Sequence, residues 1–323
     1  MHENRLGRHG ALRRSAALTA FGAYNVRTMQ AASLWRAPWA GVLVESARAS
    51  EPITLAAAAV EIADHDRASL AGPTSAYLHG LTALAPTPIH LAVPYGHWLR
   101  SRPGLKVHNG PLGDEDRTWI DGLPVLGLER TVTDLICAAR PPDAVAIVDQ
   151  ALGAIEPSAH EPFRAAIARR LRCRRDPRGT VRGLHLLDLA TGRAESPAES
   201  RLLWQIVDAG FPIPEVNLPI TALDGRELYR LDLAWPEHLI VVEYHGYAAH
   251  VGRTAEDAAR ADDLRRRGWI VIEVWLDGVR DGRVSTELDA AFARRGVDTS
   301  RRQLRVLSGR RHRDPVPTGS RPA

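Results

Sequence analysis

Lysine is almost absent from this chain. Lys106 is the only lysine, so 42 − 1 = 41 of the 42 basic residues are arginine. Any mechanism that needs a lysine at another position is therefore excluded. The two cysteines, Cys137 and Cys173, lie too far apart for a CxxC redox pair or a zinc knuckle, and they imply no disulfide framework.

Long apolar runs are also missing. No stretch approaches the ~20 residues of a membrane span, and AALTAFGA at residues 16–23 matches the apolar part of a secretory signal only weakly. The chain has no Walker-type loop, so nothing supports a nucleotide cofactor. We expect a cytoplasmic protein that makes no use of a membrane.

What is present is an ordinary globular composition. The chain is 45% hydrophobic and 25% charged, with a net charge of +4. Its length of 323 residues suits about two domains. We predict five segments along the chain: a shortened winged helix-turn-helix at 1–50, an α+β region at 51–155, an arginine-rich linker or helix at 156–195, an α/β domain with a mixed central sheet at 196–282, and a basic tail at 283–323.

The first 50 residues predict a small DNA-binding fold. Residues 11–45 combine two short helical patterns with a hairpin turned by Gly and Pro, and a winged helix-turn-helix has this order. Arg27 and Arg36 stand where such a fold would place cations against DNA. The alternative is a helical start that packs on the next domain.

The α+β region carries a family resemblance. LAGPTSAYLHGL at 70–81, LPVLGLERTVTDLICAAR at 123–140 and AIVDQAL at 146–152 resemble the region behind the small winged helix of AbiEi-type abortive-infection antitoxins. The resemblance covers roughly residues 20–155. It implies a transcriptional repressor of a toxin operon, with DNA and a toxin or other defence-system protein as partners.

An arginine-dense stretch follows this region. Residues 161–182 contain eight arginines against Glu161 and Asp176, which predicts a cationic face able to neutralise phosphates. A solvated linker helix is the alternative. The arginines that we predict to bind nucleic acid are Arg169, Arg170, Arg172, Arg174 and Arg175.

The C-terminal part places acids within apolar strands. Residues 197–210 predict a helix with Ser196 as its N-cap and Glu199 in its first turn. The following order of strands and one helix predicts a mixed sheet, in which a short hairpin brings Asp232 near Glu243 and His245. Because converging carboxylates repel each other, the cluster suits a hard cation such as Mg²⁺.

The order of these acids resembles the PD-(D/E)xK restriction-endonuclease-like fold, in its very-short-patch-repair (Vsr) branch. ESRLLWQIVDAGF, RLDLAW, HGYAAH and DDLRRRGWIVIEVW carry the resemblance over about residues 196–280. It implies that Asp232, Glu243 and Glu199 hold Mg²⁺ or Mn²⁺, and that His245 and His250 transfer protons, with His245 in the place of the usual lysine.

Two functions follow from these patterns. The first is a Mg²⁺-dependent endonuclease that hydrolyses DNA. The alternative is an AbiEi-like DNA-binding regulator or antitoxin whose nuclease-like domain is an inactive scaffold. In that case Glu243 is an edge carboxylate paired with a nearby arginine, such as Arg230 or Arg260.

Overall fold

The structure is a computed structural model that describes residues 6–63, 66–222, 224–245, 254–275 and 282–307. The chain forms two compact units. The first contains the residues up to Ala138 together with Ser158–Arg175, and the second contains Ala139–Pro157 together with the residues from Asp176 onward. Residues 156–195, predicted as a linker or helix, are therefore divided between the units. None of the described helices is both long and apolar enough to cross a membrane.

The first unit begins with a small helical and β region that has its own core. Gly22, at φ 78° and ψ 154°, divides α1 into two helical segments. The three short strands form an antiparallel sheet in the order β1-β3-β2. The elements are β1 (Ala11–Arg13), α1 (Arg14–Ala31), β2 (Trp35–Arg36) and β3 (Val42–Glu45). The core consists of Leu6, Ala17, Val26, Trp35 and Leu43.

The rest of the first unit is a five-stranded mixed sheet with helices, as the α+β prediction requires. The strand order is β6-β5-β4-β8-β7. Alternate residues of β5 are buried, and they belong to one continuous core together with the apolar helix α2. The elements are α2 (Pro52–Ala63), β4 (Ser69–Leu70), α3 (Gly72–Leu78), β5 (Ile89–Val93), β6 (Leu105–Asn109), β7 (Arg117–Ile120), β8 (Leu123–Leu126), α4 (Leu128–Ala138) and α6 (His160–Arg172).

Helix α6 is fixed to this unit by apolar packing and by one buried carboxylate. Phe163, Ile167 and Leu171 recur at helical spacing and are buried. Asp116 is buried and accepts hydrogen bonds from Arg130 at 2.6 Å and from Arg170 at 2.7 Å. The arginine-dense stretch is therefore partly structural.

The second unit contains the predicted mixed sheet. Its strand order is β12-β11-β10-β9, with β9, β10 and β11 antiparallel and β11 parallel to β12. The predicted sequence of strand, strand, strand, helix, strand is confirmed. The elements are α5 (Pro141–Gly153), α7 (Thr180–Leu189), α8 (Pro197–Asp208), β9 (Glu215–Thr221), β10 (Glu227–Trp235), β11 (Ile240–His245), α9 (Thr254–Arg266), β12 (Ile270–Trp275) and α10 (Arg283–Arg294).

Part of the predicted basic tail belongs to the core of this unit. The segment at 283–294 forms α10, which buries Val284, Leu288 and Phe292. The Phe292 ring lies 5.9 Å from the ring of Phe211 and 5.4 Å from that of Trp235. The many charged residues of this segment obscure the helix in the sequence, although its apolar residues are spaced for a single buried face.

Two carboxylates on the predicted helices have structural partners. Asp149 is buried on α5, where its Oδ1 accepts hydrogen bonds from the backbone N–H groups of Thr191 at 2.6 Å and Gly192 at 2.7 Å, and burial raises its pKa. Asp134 on α4 pairs with Arg130 at 2.8 Å and with Arg174 at 3.3 Å. Both carboxylates therefore have structural roles within their own units.

Candidate functional site

Four polar residues lie side by side across the sheet of the second unit. Leu231 pairs with Leu218, and Leu233 with Val216, so the residues between them, Asp232 and Asn217, are also opposite each other. One step beyond the pair Leu233–Val242 of the β10–β11 register, Asp232 faces Glu243, and Glu243 pairs with Glu273 of β12. Since residues opposite each other in a sheet share a face, we call Asn217, Asp232, Glu243 and Glu273 the polar row.

The two central acids of the polar row perturb each other. Burial, opposed by a hydrogen bond from the Tyr244 N–H at 2.7 Å, raises the pKa of Asp232 to about 6, and the charge of Glu199 adds to the rise. Burial and the charge of Asp232 raise the pKa of Glu243 to about 8. The predicted convergence of these acids is therefore present in the fold, and at neutral pH it disfavours the doubly ionised state.

Arg260 of α9 supplies the cation at this position. Its Nη2 donates to both carboxylate oxygens of Glu243, at 3.1 and 2.9 Å, and to the carbonyl oxygen of Arg230. The guanidinium also lies 5.8 Å from the centre of the Tyr229 ring. Arg230 itself pairs with Glu195 and Glu227. Of the two arginines considered from the sequence, Arg260 is thus the partner of Glu243.

Glu199 serves mainly as part of the helix cap. Ser196 accepts a hydrogen bond from the Glu199 N–H and donates one back to Glu199 Oε1 at 2.8 Å. The other oxygen accepts from the Glu195 N–H at 2.8 Å and lies 3.4 Å from the Asn217 amide nitrogen. Both oxygens of this buried carboxylate are therefore used within the protein.

His245 lies at the end of β11, beside the polar row. Its ring stacks on Trp275 with the centroids 4.6 Å apart. Its Nε2 is buried and has no hydrogen-bond partner among the residues that the structure describes. A small, half-open pocket is lined here by Glu243, His245, Arg260, Ala261, Leu264, Val271 and Glu273. His250 lies outside the described residues.

The arrangement does not fit the magnesium ion that the resemblance implies. Within the described residues, no three His, Cys, Asp or Glu side chains lie close enough together to hold a metal ion. The oxygens of Glu243 face a guanidinium, and those of Glu199 face N–H and O–H donors. A divalent cation would have to displace these donors.

The arginines predicted to bind nucleic acid fall into two groups. Arg170 and Arg174 are partly buried and paired with Asp116 and Asp134. Arg36 donates to the Ala49 carbonyl oxygen at 3.0 Å, although much of the residue is exposed. The remaining arginines are exposed, and no charged partner is found for them within the described ranges: Arg27, Arg169, Arg172 and Arg175.

Asn217 is a polar-row member that the sequence prediction missed. Its φ of +49° is unusual for a residue with a side chain. The side chain is nearly buried, and its amide group donates to the Arg193 carbonyl oxygen at 2.5 Å. The available signal is an asparagine in the strand that precedes the strand of Asp232. The sequence alone does not give the register of β9 against β10, so it does not place Asn217 opposite Asp232.

Comparison with known proteins identifies the class of the central region. Residues 68–189 match the family described as the AbiEi antitoxin C-terminal domain. This confirms the AbiEi-like part of the predicted resemblance and extends it beyond residue 155.

The same comparisons place the chain among mycobacterial relatives. Uncharacterized protein MT2308 of Mycobacterium tuberculosis (strain CDC 1551 / Oshkosh) is 31% identical over 226 residues, which cover 68% of this chain and 80% of the relative. Uncharacterized protein Rv2248 of Mycobacterium tuberculosis (strain ATCC 25618 / H37Rv) matches with the same identity and coverage. The chain belongs to the family of these two proteins.

A solved structure shows a more distant similarity. The crystal structure of the RV2827C protein from Mycobacterium tuberculosis has 16% sequence identity and a TM-score of 0.41, covering 67% of this chain and 85% of that one.

Proposed function

We propose that this protein is a DNA-binding regulator of the antitoxin type, and that residues 6–48 form a winged helix-turn-helix. The observation that carries the proposal is the division of α1 at Gly22 into two helical segments, followed by the β2–β3 hairpin over a separate small core. This order, with a second helix for the major groove and a hairpin for the backbone, is that of a winged helix.

The second segment of α1 offers suitable side chains. Tyr24 is 74% exposed, and Arg27 is also exposed. Asn25 and Thr28 share this exposed surface, although each hydrogen-bonds to a backbone carbonyl oxygen of the preceding turn. An exposed arginine on such a helix is suited to bind guanine edges or phosphates.

A second DNA contact is proposed on α6. Arg169, Arg172 and Arg175 are the exposed members of the predicted cationic face. Arg170 and Arg174 hold the helix in place and are not assigned to DNA. Each phosphate contact would make the slope of log K, the association constant, against log salt concentration more negative by about 0.9.

The match of residues 68–189 to an antitoxin domain supports the choice of regulator over other DNA-binding proteins. Within this proposal, a toxin or another component of a defence system is the protein partner.

The test is a fluorescence-anisotropy titration with duplex DNA from upstream of the protein's own gene, against an unrelated duplex. We expect Arg27→Ala to weaken the specific complex by about tenfold, as loss of one base contact does. Arg226→Ala is the control, because Arg226 is exposed beside Asp224 and lies outside both proposed DNA contacts. Equal weakening by both variants, or no preference for the upstream duplex, contradicts the proposal.

Metal-dependent cleavage of DNA is a second candidate function, favoured by the convergence of Asp232 and Glu243 beside His245. Glu199 and His250 would complete the Vsr-like set with Mg²⁺ or Mn²⁺ as cofactor. The pairing of Glu243 with Arg260 weighs against it. Incubation of supercoiled plasmid with the protein and either metal ion, beside Asp232→Asn, tests it: cleavage unchanged in the variant removes this site.

A further inference from the structure

Arg260 binds one acid of the polar row and acts electrostatically on the acid beside it. Three acids of the second unit, Asp232, Glu243 and Glu273, follow one another on adjacent strands. Arg260 lowers the pKa of both Asp232 and Glu243, against the effects of burial and mutual repulsion. A cation is needed here for a physical reason, since neighbouring carboxylates with reduced access to water repel each other strongly.

The guanidinium is held from several sides. Glu243 accepts two hydrogen bonds from its Nη2, the Arg230 carbonyl oxygen accepts another, and the Tyr229 ring lies at 5.8 Å. Tyr229 is itself held by a hydrogen bond from its hydroxyl group to Asp263 at 3.0 Å, on the same helix as Arg260. Strand β10 and helix α9 together therefore fix Arg260 where it is.

We propose that Arg260 is the resident cation of Asp232 and Glu243, the two central acids of the polar row, and that its guanidinium and a divalent metal ion exclude each other from these carboxylates. The exclusion has two causes. The Glu243 oxygens that would bind a metal already accept from Arg260, and a divalent ion beside the guanidinium is repelled by it. The protein thus keeps an acidic cluster while remaining closed to Mg²⁺ and Mn²⁺.

This proposal is independent of the proposed DNA binding. The winged-helix region belongs to the first unit, whereas every residue named here belongs to the second. DNA binding measured in EDTA tests the first proposal, and metal binding measured without DNA tests this one.

The experiment measures Mn²⁺ binding to the full chain by electron paramagnetic resonance of the free ion. Wild type is compared with Arg260→Ala, with Asp232→Asn, with the double variant Arg260→Ala/Asp232→Asn, and with Arg267→Ala. Arg267→Ala is the matched control, because it removes one arginine charge just beyond the same helix, where Arg267 pairs with Asp263.

We expect no saturable site in wild type or Arg267→Ala. Arg260→Ala gains one saturable site, with one Mn²⁺ bound per chain, and the added Asp232→Asn substitution abolishes it. A Mn²⁺ site in wild type that Asp232→Asn removes would overturn the proposal. So would an Arg260→Ala protein that is folded and still binds no metal, or a gain of equal size in Arg267→Ala.

Loss of Arg260 leaves Glu243 without its partner, so Arg260→Ala could fail to fold. Arg260→Gln is the second variant, because its amide group can donate to Glu243 while carrying no charge. It is expected to bind Mn²⁺ in the same way, and absence of binding in folded Arg260→Gln counts against the proposal. The comparison of wild type with Asp232→Asn needs neither variant and decides the case in which wild type binds metal.

Discussion

Replacing Asp232 by Asn should raise the free energy of unfolding at high pH, because it removes a charge that is largely withdrawn from water. The pKa of Asp232 rises from 3.8 to about 6, which is about two units and corresponds to about 3 kcal/mol of cost to the folded state when the group is ionised. Asp232 keeps some exposure, so screening by solvent reduces the expected gain to about 1–2 kcal/mol. Asn retains an oxygen that can accept the Tyr244 N–H.

The sign follows from proton linkage. A carboxyl group whose pKa is raised on folding binds more protons in the folded state, so stability falls as pH rises through the interval between the two pKa values. For Asp232 this interval runs from 3.8 to about 6, and for Glu243 from 4.5 to about 8. Asp232→Asn removes the first decline and, by removing the neighbouring charge, weakens the second.

Urea unfolding followed by tryptophan fluorescence at pH 5, 7 and 9 measures this effect. The advantage of Asp232→Asn should be about half developed at pH 5, because stability already declines between pH 3.8 and about 6, and should reach its full size by pH 9 as Glu243 also ionises. Asp262→Asn is the control, because that carboxylate is largely exposed beside Arg265 and its loss should shift stability by only about 0.5 kcal/mol at any pH. An advantage that is absent at pH 9, or independent of pH, refutes the reasoning.

Two further predictions concern the units separately. Asp116→Ala removes the shared partner of two partly buried arginines, Arg130 and Arg170. It should lower the unfolding free energy of the first unit by about 2–4 kcal/mol, measured by urea denaturation. A loss under about 0.5 kcal/mol would show that Asp116 does not hold α6 in place. Gly210→Ala places a Cβ 2.2 Å from the Gln303 carbonyl oxygen at a φ of +85°, whereas Gly225→Ala, at +83°, meets no atom within 4 Å. The first should therefore lower Tm more than the second, and equal losses would show that the contact with Gln303 is unimportant.

Local patterns predicted most of the secondary structure. The helix beginning at Pro197 with the Ser196 cap, and the strands containing Asp232 and Glu243, follow from capping residues and apolar alternation. These signals act within a few residues. For that reason the succession of strands and helix along the second unit could be predicted, together with the proximity of its two central acids.

The partner of the acids could not be predicted in the same way. Arg260 lies 17 residues beyond Glu243 on a helix with little apolar patterning, so which arginine would reach Glu243 depends on how α9 docks. Asn217 adopts a left-handed conformation that apolar alternation does not reveal. The helix at 283–294 is obscured in the sequence by its charge, since only four apolar or small residues on one face decide its burial.

The arginine on α9 also has a consequence for local motion. The helix has few apolar anchors, with Ala261 and Leu264 among its buried residues, and such a helix would ordinarily open on its own in native-state fluctuations. Opening here would leave two facing carboxylates without a counter-ion, so detachment of the helix is coupled to disruption of the β10–β11 hairpin. Backbone amides of α9 that are hydrogen-bonded near Arg260 should then exchange with deuterium at rates close to those of β11, in spite of the helix's polar composition.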